Sequence, residues 1–102
     1  MAMPSQPDPR PEAETVSYEV VDGVAWVKFN RPDKRNCMSP KLNRRMLEVL
    51  GELEFRDDVQ VLVLTGEGAA WSAGMDLLEY FRMTEAEGLH ATRKAQREAY
   101  SW

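Results

Sequence analysis

An α/β fold is predicted for this 102-residue chain by three stretches. Val16, Tyr18 and Val20, then Ala25, Val27 and Phe29, alternate with polar or outward residues on either side of Asp22-Gly23, which reads as a β-hairpin with a two-residue turn. Ser39-Pro40 opens a run with Leu42, Met46, Val49, Leu50 and Leu53 at helical spacing. Val59 to Leu64 (VQVLVL) is a nearly continuous apolar strand of the kind covered on both faces in layered α/β proteins. Strand, helix and strand in that order predict a right-handed crossover.

Each element has a local cause. Asn30-Arg31-Pro32-Asp33 ends the second strand, because proline cannot donate within a ladder. Ser39 suits the N-cap and Pro40 the first helical position. Arg44, Arg45, Glu48 and Glu52 fall mostly off the apolar stripe, giving an amphipathic helix of about four turns. Asp57-Asp58 closes the connection to the apolar strand, and Thr65 to Ala70 (TGEGAA) is expected as a loop. Asp76 to Met83 reads as a short helix, and Thr84-Glu85-Ala86-Glu87 as the capping box of a last helix. Met1 to Glu14 carries four prolines and little that can pack, and is expected to be a disordered leader. Residues 15–102 are then the folded part. No internal repeat is visible.

Bulk properties narrow the function. The length fits one small domain that buries roughly two-thirds of its unfolded surface. A formal net charge of −4 argues against nucleic acid or a membrane surface held by bulk electrostatics. Cys37 is the only cysteine, which excludes an intrachain disulfide and favours a reducing, cytoplasmic setting. One His and one Cys make no metal cluster.

Several short patterns carry chemistry in other proteins. Gly66-Glu67-Gly68 follows a strand, but Trp71 stands where a dinucleotide fingerprint needs its third glycine. Ala70-Trp71-Ser72-Ala73-Gly74 approaches a nucleophile elbow, yet Ala70 replaces its first glycine, and His90 lies on a late helix. Lys34-Arg35-Asn36 is either a solvated turn or a phosphate contact. Ala73-Gly74-Met75-Asp76 is the best candidate. Small residues admit close backbone approach, and amides at a helix start have no intrahelical acceptor, so they can stabilise a developing oxyanion. The plainer reading is a strand-to-helix turn with Asp76 as N-cap. Tyr80-Phe81 faces either a ligand or the core.

The stretches VDGVAWVKFNRPDKRNCMSPKLNRRML and VLVLTGEGAAWSAGMDL, in order and at their spacing, resemble the crotonase (enoyl-CoA hydratase/isomerase) superfamily from Val24 to Met83. NRPDKRNCMSP together with AWSAGMDLLEYFR resembles its hydroxycinnamoyl-CoA (feruloyl-CoA) hydratase-lyase branch. The resemblance implies the N-terminal part of a ββα spiral fold, an aromatic acyl-CoA thioester substrate, coenzyme A as part of that substrate with no separate cofactor, and a homotrimer or hexamer. It implies that Lys34 lies near the CoA phosphates and that Ala73, Gly74, Met75, Asp76 and Leu77 line the CoA region. The Met75 amide would be half of an oxyanion hole, and Tyr80 would contact the aromatic ring. The branch hydrates the 4-hydroxycinnamoyl double bond and then cleaves by retro-aldol to acetyl-CoA and an aldehyde of the vanillin type. Its second oxyanion amide, its acid–base Glu and a later Tyr lie on later segments, and Glu79, Glu85 and Glu87 do not match them. The chain is therefore expected to be an N-terminal fragment, inactive alone. Cys37 stands where alanine is common in the branch. The alternatives are an aliphatic enoyl-CoA hydratase or isomerase, and a non-catalytic CoA-binding or oligomerisation module.

Overall fold

In a computed structural model, which describes residues 15–102, the hairpin forms as its pattern requires. The proposed leader, residues 1–14, lies outside the described residues. Strands β1 (Val16–Val21) and β2 (Val24–Phe29) pair antiparallel, from Val16 opposite Phe29 to Val21 opposite Val24. Asp22 and Gly23 both take positive φ, 50° and 82°, the requirement of a type I′ turn whose twist matches the strands it joins.

Helix α1 (Pro40–Leu53) starts where Ser39 caps it, with the Ser39 hydroxyl accepting from the Leu42 amide at 3.1 Å. Its inward stripe of Leu42, Met46, Val49 and Leu53 meets Val16, Ala25, Val27 and Phe29 of the hairpin to make the core. Burying one such aliphatic side chain stabilises the fold by about 1.5–3 kcal/mol, far more than its helix propensity does.

Strand β3 (Val61–Gly66) pairs parallel with β2, Val24 opposite Val61 and Phe29 opposite Gly66, so the sheet order is β1-β2-β3. It begins and ends two residues later than VQVLVL predicts. The start is set by the hairpin turn, because the Gly23 carbonyl accepts from both Gln60 and Val61. At the other end Thr65 and Gly66, expected in a loop, continue the ladder. Val61 is 53% and Leu62 39% exposed: among the described residues β3 packs chiefly against β2, along its edge, and little lies over its faces at that end.

Helices α2 (Leu77–Glu87) and α3 (Leu89–Ala99) complete the chain, with α3 packed against both α1 and α2. The capping box expected at Thr84–Glu87 does not exist. Those residues lie inside α2, the chain turns at Gly88, and no side chain caps α3. The Thr84 hydroxyl instead donates back to the Tyr80 carbonyl at 3.1 Å and lies 2.7 Å from that of Thr92, stapling the two helices. A short polar side chain that bonds its own helix has none left to start the next.

Candidate functional site

Two connections meet above the end of β2 and β3: residues 30–39, running into α1, and residues 67–76, running into α2. Asn36 joins them. It is fully buried and holds a left-handed backbone (φ 57°) that asparagine tolerates better than most residues. Its amide nitrogen donates to the Glu67 and Ala70 carbonyls at 3.0 and 2.8 Å, and its side-chain oxygen accepts from the Arg31 amide at 2.7 Å. Its own carbonyl accepts from the Ser72 hydroxyl at 2.9 Å. Ser72 is thus a structural hydroxyl, which also accepts from the Gly74 amide. Gly66-Glu67-Gly68 likewise belongs to this junction; no helix follows it until Leu77.

Between these loops a one-residue parallel bridge forms, Met38 opposite Met75. The Met38 amide donates to the Gly74 carbonyl at 2.7 Å and the Asp76 amide to the Met38 carbonyl at 3.0 Å. In such a bridge the central residue opposite the bonded one turns its own amide the other way. The Met75 N–H therefore faces away from Met38, and among the described residues nothing accepts it. Gly74 has φ 103°, and a Cβ there would meet nothing within 4 Å. The positive φ is a conformation that glycine adopts without strain, and the space beside it is open among the described residues. The same segment and the first turns of α2 carry exposed apolar side chains: Trp71, Met75 itself, Leu77, Leu78 and Phe81.

Asp76 caps α2, accepting from the Glu79 amide at 3.1 Å, and its other oxygen takes the Arg31 guanidinium at 2.9 Å. Both side chains of this ion pair are largely buried, 15% and 11% exposed. Arg31 also donates to the Cys37 carbonyl. Burial pushes the Asp76 carboxyl up. The Glu79 amide, the Arg31 bond and the charges of Arg31 and Lys34 outweigh it and hold the group below the ordinary carboxylate range. An unfolded Asp titrates near about 3.9, so this stabilisation is fully present above about pH 4 and is lost as pH falls through the lower folded value. Asp76→Asn, which keeps a competent cap, should cost about 2 kcal/mol at pH 7, and the two thermal-unfolding curves should draw together progressively as pH falls below about 4, toward the depressed folded value. Curves equally far apart at pH 7 and pH 2.5 would disprove the charge argument.

The structure brings Ala73 to Leu77 together as one segment, with Lys34, exposed at the end of a short 3₁₀ turn (Pro32–Lys34), close enough for its charge to act on Asp76. Tyr80 is not on that open side. It is 4% exposed, and its hydroxyl accepts from the Asn43 side chain at 3.0 Å, while Asn43 in turn accepts from the Trp102 indole at 3.0 Å. Burial pushes the Tyr80 phenol above its ordinary range. Phe81, next to it, is 65% exposed. Sequence reasoning missed Arg31 and the role of Asn36. The available signal was their shared loop: an asparagine between Arg35 and Cys37, in a loop that must turn from strand to helix, can hydrogen-bond backbone groups and tolerates a left-handed conformation. Among the described residues no His, Cys, Asp and Glu cluster could hold a metal, and no helix is long and apolar enough to cross a membrane.

Residues 19–101 match the family model described as enoyl-CoA hydratase/isomerase. Over 89 residues, 87% of the chain, the sequence is 54% identical to a hydroxycinnamoyl-CoA hydratase-lyase of Pseudomonas fluorescens, covering 32% of that protein. Over 64 residues, 63% of the chain, it is 52% identical to a 4-chlorobenzoyl coenzyme A dehalogenase of Arthrobacter, covering 23% of it. Among solved structures, Pseudomonas aeruginosa AtuE superposes with a TM-score of 0.74 at 32% identity, over 83% of this chain and 33% of that one. The chain thus spans about a third or less of the length of these relatives.

Proposed function

We propose, from the premise that the chain belongs to the enoyl-CoA hydratase/isomerase (crotonase) family, that it contributes the thioester-binding half of an aromatic acyl-CoA hydratase-lyase site. The reaction is hydration of a 4-hydroxycinnamoyl-CoA double bond followed by retro-aldol cleavage to an aromatic aldehyde and acetyl-CoA. One observation carries this reading: the Met75 amide, unpartnered among the described residues and directed away from its bridge. The names of two relatives support the substrate class, since hydroxycinnamoyl-CoA and 4-chlorobenzoyl-CoA are both aromatic acyl thioesters.

The chemistry follows from position. A thioester carbonyl that accepts from the Met75 N–H is polarised, and negative charge developing on its oxygen meets a donor that needs no reorganisation. One such donor in a water-poor site is worth on the order of 3 kcal/mol in the transition state. Ala73 to Leu77 flank the thioester, Lys34 offers a cation to the CoA phosphates, and the exposed Trp71 and Phe81 offer faces to an aromatic acyl group. Tyr80 supports that wall from the core side. Proton transfer is assigned to no described residue in the segment: Asp76 is held by Arg31 and by capping α2, and Glu79, paired with Arg82 only at the exposed surface, does not stand where the branch carries its acid–base Glu.

The test compares an acyl-CoA thioester with its thioether analogue, which lacks the carbonyl. The Met75 amide resonance should move downfield with the thioester and stay in place with the thioether. Met75→Pro removes the N–H without removing a bridge bond, and should abolish a preference for the thioester of about tenfold. A Met75 resonance indifferent to both ligands would sink the proposal.

A further inference from the structure

The Met75 amide is useful to a carbonyl only if it is held still, and its own backbone holds it weakly. A bridge of one residue pair is the shortest possible piece of sheet. Apart from the two Met38 bonds, the one backbone hydrogen bond among the described residues that ties the segment to residues 35–38 is the Ala73 amide donating to the Arg35 carbonyl at 2.9 Å. Side chains must supply the rest. Ser72 and Asn36 fix the incoming end of the segment. At the outgoing end stands Arg31, which grips both sides of the bridge: the carbonyl of Cys37, the residue before Met38, and the carboxylate of Asp76, the residue after Met75.

We infer that Arg31, acting through Asp76, is the positioning residue that sets the direction of the Met75 amide; this rests on the proposed role of that amide. The planar guanidinium forks to two acceptors at once, which a lysine ammonium on a flexible stem does not reproduce. Asp76 is already fixed by capping α2, so the fork transmits the position of a helix to the bridge. The Arg31 side chain bonds the Cys37 carbonyl and Asp76 and makes no bond to the Met75 amide itself, so its effect on that amide is one of geometry.

The experiment measures dissociation constants of the purified chain for an acyl-CoA thioester and for its thioether analogue, and takes their ratio. The thioether reads CoA and acyl binding alone, and the ratio reads the amide. Arg31→Gln should reduce a wild-type ratio of about ten to near one, with the thioether affinity changed less than about twofold. Arg31→Lys should recover only part of it. Asp76→Asn, which keeps the cap, should lower the ratio as Arg31→Gln does, and the double variant should lose no more than either single one. A purely supporting role for Arg31 would lower the melting temperature and leave the ratio intact in the folded variants, and that outcome overturns the inference. Should Arg31→Gln fail to fold, the ratio in Asp76→Asn decides alone. A wild-type ratio of one overturns the Met75 reading instead, and removes the role of Arg31 with it.

Discussion

Gly66→Ala should destabilise the fold by more than about 3 kcal/mol, enough to unfold a chain of ordinary marginal stability. A Cβ at this last residue of β3 would lie 2.5 Å from the Asn36 side-chain nitrogen and 2.6 Å from the Ala70 carbonyl oxygen, with the Trp71 carbonyl equally in the way. None of these can give. Two are backbone, and the third is tied to the Glu67 and Ala70 carbonyls. Gly51 provides the control. It lies on the exposed face of α1, a Cβ there would meet nothing within 4 Å, and Gly51→Ala should stabilise by about 0.5–1 kcal/mol through helix propensity. Opposite signs in urea-unfolding midpoints are expected; a neutral Gly66→Ala would show that the junction can open without loss.

Asn36→Ala should cost about 3 kcal/mol. It strands the Arg31 amide and two carbonyls whose donor was a side chain excluded from solvent, and it places an ordinary residue at φ 57°. Asn36→Asp should be at least as damaging, since it keeps the acceptor for Arg31 but sets a carboxylate against the Glu67 and Ala70 carbonyl oxygens. Denaturant titration of both variants checks the order. If the Asp variant is the more stable, the donor half of the asparagine is not what holds the loops.

The hairpin and α1 were legible because their signals are local: a period of two, a turn with two positive φ values, a Ser-Pro cap and an apolar stripe. Their core residues follow from the same patterns. The limits of β3 were not legible, since its start depends on the Gly23 carbonyl and its end on Phe29, both more than thirty residues away in sequence. The false capping box at Thr84 shows the reverse error, a correct short pattern overridden by a helix that had reason to continue. In the candidate site, Ala73 to Asp76 was singled out from residue sizes and a helix start, beside the plainer reading of a capped turn, while Leu77 and the role of the segment came from the resemblance to the crotonase family. What the sequence could not display was the bridge to Met38, which decides where the Met75 amide points. Tyr80 illustrates the same gap, because only the packing of α1 shows that Asn43 engages its hydroxyl.

The staple at Asn36 also sets an order of assembly. The hairpin closes across two residues and is complete once Phe29 is available. The Asn36 bonds span 31 and 34 residues, so their loop carries a closure entropy the hairpin does not, and they wait on everything from Cys37 to Ala70. During synthesis from the N-terminus, the scaffold therefore exists before the junction does. Until Glu67 and Ala70 arrive, the Asn36 side-chain nitrogen lacks its two acceptors, and the Met75 amide has no fixed direction. The fixed direction of the Met75 amide is thus a late property of this chain, and the same long loop makes it among the first lost when the molecule opens locally.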